Sequence, residues 1–89
     1  MKIGFDPAKN ARNIQERGLS FRDVVDLDWE HAIVVEDTRR DYGERRMQAF
    51  LMGDGKPYVV VYTMRGSVRW IISFRRARPK EKRRYAQEA

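Results

Sequence analysis

Residues 63–85 read TMRGSVRWIISFRRARPKEKRRY. An apolar run with arginines threaded through it is followed by a short, very basic segment that opens on Pro79. The run predicts a strand over Val68–Arg76, and the Pro-led segment predicts a helix from Pro79 to about Gln87. Simple alternation puts Trp70, Ile72 and Phe74 on one face, packed against helices, and Arg69, Ile71, Ser73 and Arg75 on the other. A strand that repeatedly points arginine out of a sheet builds an anion site. On a chain of 89 residues a polyanion is the natural occupant, and RNA is the first to consider.

The charge distribution sharpens that reading. Residues 1–31 carry five Lys/Arg against six Asp/Glu, residues 32–62 five against five, and residues 63–89 nine against two. The net charge of +6 is therefore concentrated in the last third. Clustered basic charge is the footprint of a nucleic-acid binder, although a solvated basic tail or a dock for an acidic protein leaves the same mark.

Composition narrows the class. The length suits one domain over residues 1–89, small enough that stability is marginal and a permanent partner is plausible. There is no cysteine, hence no disulfide or thiolate chemistry, and a single histidine does not make an ordinary zinc site. No cofactor is implied. MKIGFDPAKN has no apolar core of a signal peptide, and no run reaches the ~18 residues of a membrane span, so we expect a cytoplasmic protein without membrane contact. At 36% charged and 42% hydrophobic residues, the chain is globular, not disordered.

Outward from the basic third, the pattern predicts an α+β domain. Lys2–Phe5 is a short first strand. Asp6-Pro7 caps and opens a helix to about Arg17, stopped by Gly18, with Ala8, Ala11 and Ile14 as its buried face. Ser20 opens a second helix ending near Leu27, with Asp23 in a capping box and Leu19 stapled onto Val24. An antiparallel meander follows: Ala32–Glu36, Arg45–Met52, Tyr58–Met64 and Val68–Arg76. Asp54-Gly55 forms a tight hairpin turn, and the third of these strands is central because both its faces are apolar. Helices on one side would leave the other side of the sheet open, lined by Arg46, Thr63, Arg65, Arg69, Ser73 and Arg75.

Guanidinium groups suit phosphate there, being planar, permanently charged and able to donate two parallel bonds. Metal-free RNA cleavage needs the 2′-hydroxyl held in line with the phosphate, the added negative charge stabilised, and protons moved. Arginines serve the second need, and Glu44 or Tyr42 the third. The competing reading pairs each arginine with Asp37, Asp41 or Glu44 and nothing more. Tyr42 is also a base-stacking candidate, whereas Trp29 and Trp70 read as core and His31 as surface or packing.

The segments FDPAKNARNIQERGLSF, DYGERR and VVYTMRG, with RWIISFRRARPKEKRRY after them, resemble BrnT toxins in the same order over nearly the whole chain. The closing pattern falls on Thr63, Arg65, Arg69, Ile71, Ser73, Arg75, Ala77, Glu81 and Tyr85. The resemblance implies a RelE-like fold with two N-terminal helices, an antiparallel sheet of four to five strands and one C-terminal helix. It also implies a type II toxin–antitoxin system, with a ribonuclease that stops translation. A BrnA antitoxin, expected to be a ribbon-helix-helix protein, would silence it, and operator DNA would be bound only through that complex. By position, the family's functional arginines fall on Arg46 and Arg75, with Thr63, Arg65 and Glu44 behind them. We assign RNA contact to Arg65, Arg69, Ser73, Arg76, Tyr42 and Arg17. Arg17 stands where many members carry a histidine, and Gly4-Phe5 where members often carry Trp before Asp6. That leaves a non-catalytic RNA- or DNA-binding module, and a degenerate toxin kept as a regulatory partner, as the alternatives.

Overall fold

Asp6 fixes the start of the first helix in the computed structural model, which describes residues 1–88. Its carboxylate accepts the Ala8 N–H at 2.9 Å, Pro7 takes the first helical position, and Gly18 ends the helix at φ 70°. In chain order the elements are β1 (Ile3–Gly4), α1 (Pro7–Arg17), a 3₁₀ helix (Phe21–Asp26), β2 (Ile33–Glu36), β3 (Met47–Gly53), β4 (Lys56–Arg65), β5 (Val68–Arg76) and α2 (Pro79–Glu88). The sheet order is β1-β5-β4-β3-β2. The expected meander is present, β4 is central, and Asp54 and Gly55 turn the β3–β4 hairpin at φ 50° and 72°.

Four expectations are corrected. The sheet is mixed, because β1 runs parallel to β5. The second N-terminal helix is a single 3₁₀ segment, which Ser20 caps by accepting the Arg22 N–H. On α1, Ala8, Ala11 and Ile14 all face solvent, and the buried positions are Asn10 and Asn13. The far side of the sheet is not open either: α2 lies over it, with Tyr85 and Ala77 packed on Phe50, Val59, Ile33 and Val35.

The asparagines are buried because they bond backbone that nothing else reaches. Asn13 Nδ2 donates to Leu19 O at 2.8 Å and Phe74 O at 2.9 Å, and its Oδ1 accepts from Phe74 N. Asn10 Oδ1 accepts the Phe21 N–H at 2.8 Å. β1 covers β5 only as far as Trp70, so Asn13 supplies the strand-like partner that β5 lacks further along. Apolar packing then closes this side: Phe21 and Val24 from the 3₁₀ helix meet Ala49, Leu51, Val60, Tyr62, Ile71 and Phe74 from the sheet.

A bulge decides which residues of β5 join that core. Tyr62 pairs with Ile71 and Val61 with Ser73, which leaves Ile72 as an extra residue. Alternation reverses across it. Arg69 and Ile71 therefore share the core face with Phe74 and Arg76, while Trp70 shares the α2 face with Ser73 and Arg75. The expected grouping of Trp70, Ile72 and Phe74 holds only for Phe74, and Arg69 lies on the opposite face from Arg75.

Asn13→Ala should cost about 2–4 kcal/mol, because the buried Phe74 carbonyl and the half-buried Leu19 carbonyl lose their donor. Ile14→Ala, on the exposed side of α1, should stay within about 0.5 kcal/mol. Urea melts of the two variants separate this polar anchoring from the apolar helix face that the sequence suggests.

Candidate phosphate and base site

The arginines divide by what holds them. Arg39, Arg45 and Arg75 hydrogen-bond carboxylates, those of Asp37, Glu36 and Glu81. Arg46, Arg65 and Arg69 instead lie over aromatic rings: Arg46 is 4.1 Å from the Tyr42 centroid, Arg65 4.3 Å from Trp70, and Arg69 4.3 Å from Trp29. A ring orients a guanidinium through its face and leaves the in-plane N–H groups for an acceptor. The competing reading, pairing with acids, thus holds through hydrogen bonds for the first set, while Arg46 and Arg65 pair with Glu44 only at 3.7 and 3.8 Å.

Arg46 and Arg65 converge. The register places Thr63 opposite Trp70 and Met47 opposite Tyr62, so Arg46, just before β3, enters beside Thr63 on the α2 face. Arg65 follows on the same face of β4. Between them stands Glu44, with one oxygen 3.7 Å from Arg46 Nε and the other 3.8 Å from Arg65. Neither contact is a hydrogen bond, and the Nε of Arg46 is buried without a partner. Two cations thus flank one carboxylate loosely, an arrangement that a phosphate can enter.

The loop before β3 sets Arg46. Asp37, buried, accepts two bonds from the Arg39 guanidinium at 2.9 and 2.8 Å and one from the Tyr42 hydroxyl at 3.0 Å. The Arg39 guanidinium holds the Asp37 carboxyl well below the usual carboxylate range, against the opposing effect of burial. Tyr42 is in this way fixed as the platform under Arg46, with Arg40 5.9 Å from the same ring. Its hydroxyl is committed to Asp37. Thr63 is equally committed, because its hydroxyl donates to Arg45 O at 2.7 Å.

A cleft of about 580 Å³ adjoins the cluster and shares Glu44 with it. Arg45, Met47, Tyr62, Thr63, Met64 and Arg69 complete its lining. Arg69 reaches it from the core face, with its Nε buried and unpartnered.

The other predicted contacts lie elsewhere. Arg75 sits opposite Val59 and Arg65 opposite Val68, about 20 Å apart along the strands at ~3.3 Å per residue. Arg75 is not beside Arg46; it gives both terminal nitrogens to Glu81, at 2.7 and 2.8 Å. Arg76 lies on the core face near Tyr58, 5.5 Å from its ring. Arg17 and Ser73 line a separate groove between α1 and β5, with Lys9 and Arg12, and Arg17 donates to Asn13 Oδ1. His31 is exposed and bound to Asp28, whose hydrogen bond raises the pKa of its imidazole. Sequence reasoning missed Trp70 and Trp29 as platforms and Asp37 as the organiser of the loop. Their signal was the aromatic beside each arginine in space, which chain order conceals except at Tyr42.

The pair with Arg75 pulls the Glu81 carboxyl down to about 2 from an ordinary 4.5, with burial opposing. A lowered folded-state value means that this contact stabilises fully above pH 4.5 and is lost as pH falls toward 2. Glu81→Gln should therefore lower stability by about 1–2 kcal/mol near neutrality. Thermal melts of the variant and the parent should converge through that acid window.

A family model described as ribonuclease toxin, BrnT, of type II toxin-antitoxin system matches residues 5–81, a span that takes in both the cluster and the cleft. The chain belongs to this family of ribonuclease toxins. No curated protein matches it.

Proposed function

We propose that this member of the BrnT family cleaves RNA without a metal ion, using the RNA 2′-hydroxyl as nucleophile and the Arg46–Arg65 pair as phosphate clamp. One observation carries the reading: two ring-held guanidinium groups, Arg46 just before β3 and Arg65 on β4, stand within 4 Å of a single carboxylate, that of Glu44. A phosphate that enters between them meets two forks of donors and no competing hydrogen bond. The 2′-oxygen then attacks phosphorus and the 5′-oxygen leaves, giving a 2′,3′-cyclic phosphate and a 5′-hydroxyl end. Charge that builds on the phosphoryl oxygens is met by groups already in place. Glu44 is the candidate to accept the 2′-hydroxyl proton, and solvent returns one to the leaving oxygen. A single carboxylate among cations is a poor donor set for a divalent ion, which wants several oxygens. Arg75 falls outside this assignment and anchors α2 through Glu81.

The partner in this reading is a BrnA-type antitoxin of ribbon-helix-helix type, with operator DNA bound through the complex. The cations at the clamp and cleft, Arg46, Arg65 and Arg69, favour an acidic segment laid across them, which would block RNA directly. We place the protein in the cytoplasm, where its substrate is. No helix among the described residues is long and apolar enough to cross a membrane.

A second reading, an RNA-binding module without chemistry, draws on the spent hydroxyls of Tyr42 and Thr63, which leave Glu44 alone to move a proton. Incubation of purified protein with RNA in EDTA separates the two. Cleavage requires new 2′,3′-cyclic ends, and binding without them favours the module. Arg46→Ala and Arg65→Ala should each lower cleavage by about 10²–10³ at unchanged fold, the usual loss for one preorganised donor to a developing oxyanion. If both variants cut RNA at the parental rate, the clamp assignment is wrong.

A further inference from the structure

We infer that the cleft beside the clamp is a guanine-reading subsite, with Arg69 as the residue that selects the base. The inference rests on the proposed RNA clamp and names what lies next to it. Glu44 is common to both places, but Arg46 and Arg65 lie on the α2 face while Met47, Tyr62, Met64 and Arg69 of the cleft lie on the core face, so an RNA strand reaches both by passing round the sheet end at Glu44. The walls suit a planar, partly apolar ring. Met47, Met64 and Tyr62 supply soft and aromatic surface, and Met64 is half-exposed at 49% although it lies on the core face of β4.

Arg69 supplies the selectivity. Trp29 lies against its guanidinium at 4.3 Å and the Tyr62 ring lies at 5.6 Å, so its orientation is fixed by packing. Among the described residues no carboxylate or carbonyl accepts from that guanidinium, and its Nε is buried with no partner at all. An arginine offers donors only, and with Nε shielded from solvent the terminal nitrogens of Arg69 are left to meet a ligand. The occupant it favours presents two adjacent acceptors on one edge. Guanine does so with O6 and N7, whereas adenine sets an amino group beside its N7 and cytosine also places an amino group on the exposed edge. Arg45, the other cation of the cleft, is bound to Glu36 and does not compete.

The test reads binding, not cleavage. Short oligouridine strands with 2′-O-methyl groups cannot be cut, and each carries one central guanine, adenine, cytosine or uracil. The guanine strand should bind the wild-type protein roughly tenfold or more tightly than the others, in line with one bidentate base contact. Replacing guanine by 7-deazaguanine, which lacks the N7 acceptor, should remove most of that margin. Arg69→Gln, whose amide matches the adenine edge, should move the preference toward adenine. Equal binding of the four strands, or a guanine preference untouched by both 7-deazaguanine and Arg69→Gln, overturns the subsite. Because the deaza arm uses the unaltered protein, the result stands even where the variant does not fold. RNA that is cut through the clamp with no base preference in binding sinks this inference alone. Guanine preference without cleavage leaves it intact and removes the nuclease reading.

Discussion

The extra residue at Ile72 is the constraint on which the rest of the arrangement depends. It changes the parity of β5 in mid-strand, so one element serves two faces in turn. Upstream of it, Trp70 turns toward the α2 side and becomes the platform for Arg65. Arg69 turns toward the core side and meets Trp29. Downstream, Phe74 enters the main core and Arg75 passes under α2 to reach Glu81. Without the bulge, Arg69 and Arg75 would share a face, and Phe74 and Ile71 could not both be buried on the same side.

Two ways of holding an arginine then give two kinds of surface. Where a carboxylate takes the guanidinium, as Glu81 does with Arg75, the charge is neutralised and the pair becomes a mechanical link between sheet and helix. Where a ring takes it, as Tyr42 does with Arg46, the side chain is oriented but its charge and its donors persist. Arg46, Arg65 and Arg69 gather at the end of the sheet where β3 begins and β4 ends, whereas Arg76, over Tyr58, lies at the other end. The main carboxylate-held pair on β5 lies at the other end.

Much of this was legible in the chain. The Asp6-Pro7 start, the Gly18 stop, the Asp54-Gly55 hairpin, the central place of β4 and the span of β5 all follow from local chemistry, and local chemistry is what sequence carries. The bulge was not legible, since adjacent Ile71 and Ile72 satisfy a regular strand as well as an irregular one. Asn10 and Asn13 misled for a different reason. Polar residues on a helix read as solvent-facing, and only the tertiary structure reveals the backbone groups that they serve, the Phe21 N–H for Asn10 and the Leu19 and Phe74 carbonyls for Asn13. Of the candidate site, the basic strand and the roles of Arg46 and Glu44 as neighbours were foreseeable from the GERR segment. The distance of Arg75 from them was not, because it depends on strand register and on a helix folded back over the sheet.

Asn13 has a consequence beyond anchoring α1. An uncovered strand margin invites another chain to pair with it, and proteins guard such margins because pairing there leads to aggregation. By occupying both the N–H and the carbonyl of Phe74, one amide side chain closes β5 where the two-residue β1 stops. A side chain that looks like a helix surface residue thus also completes the hydrogen bonding of an uncovered strand margin.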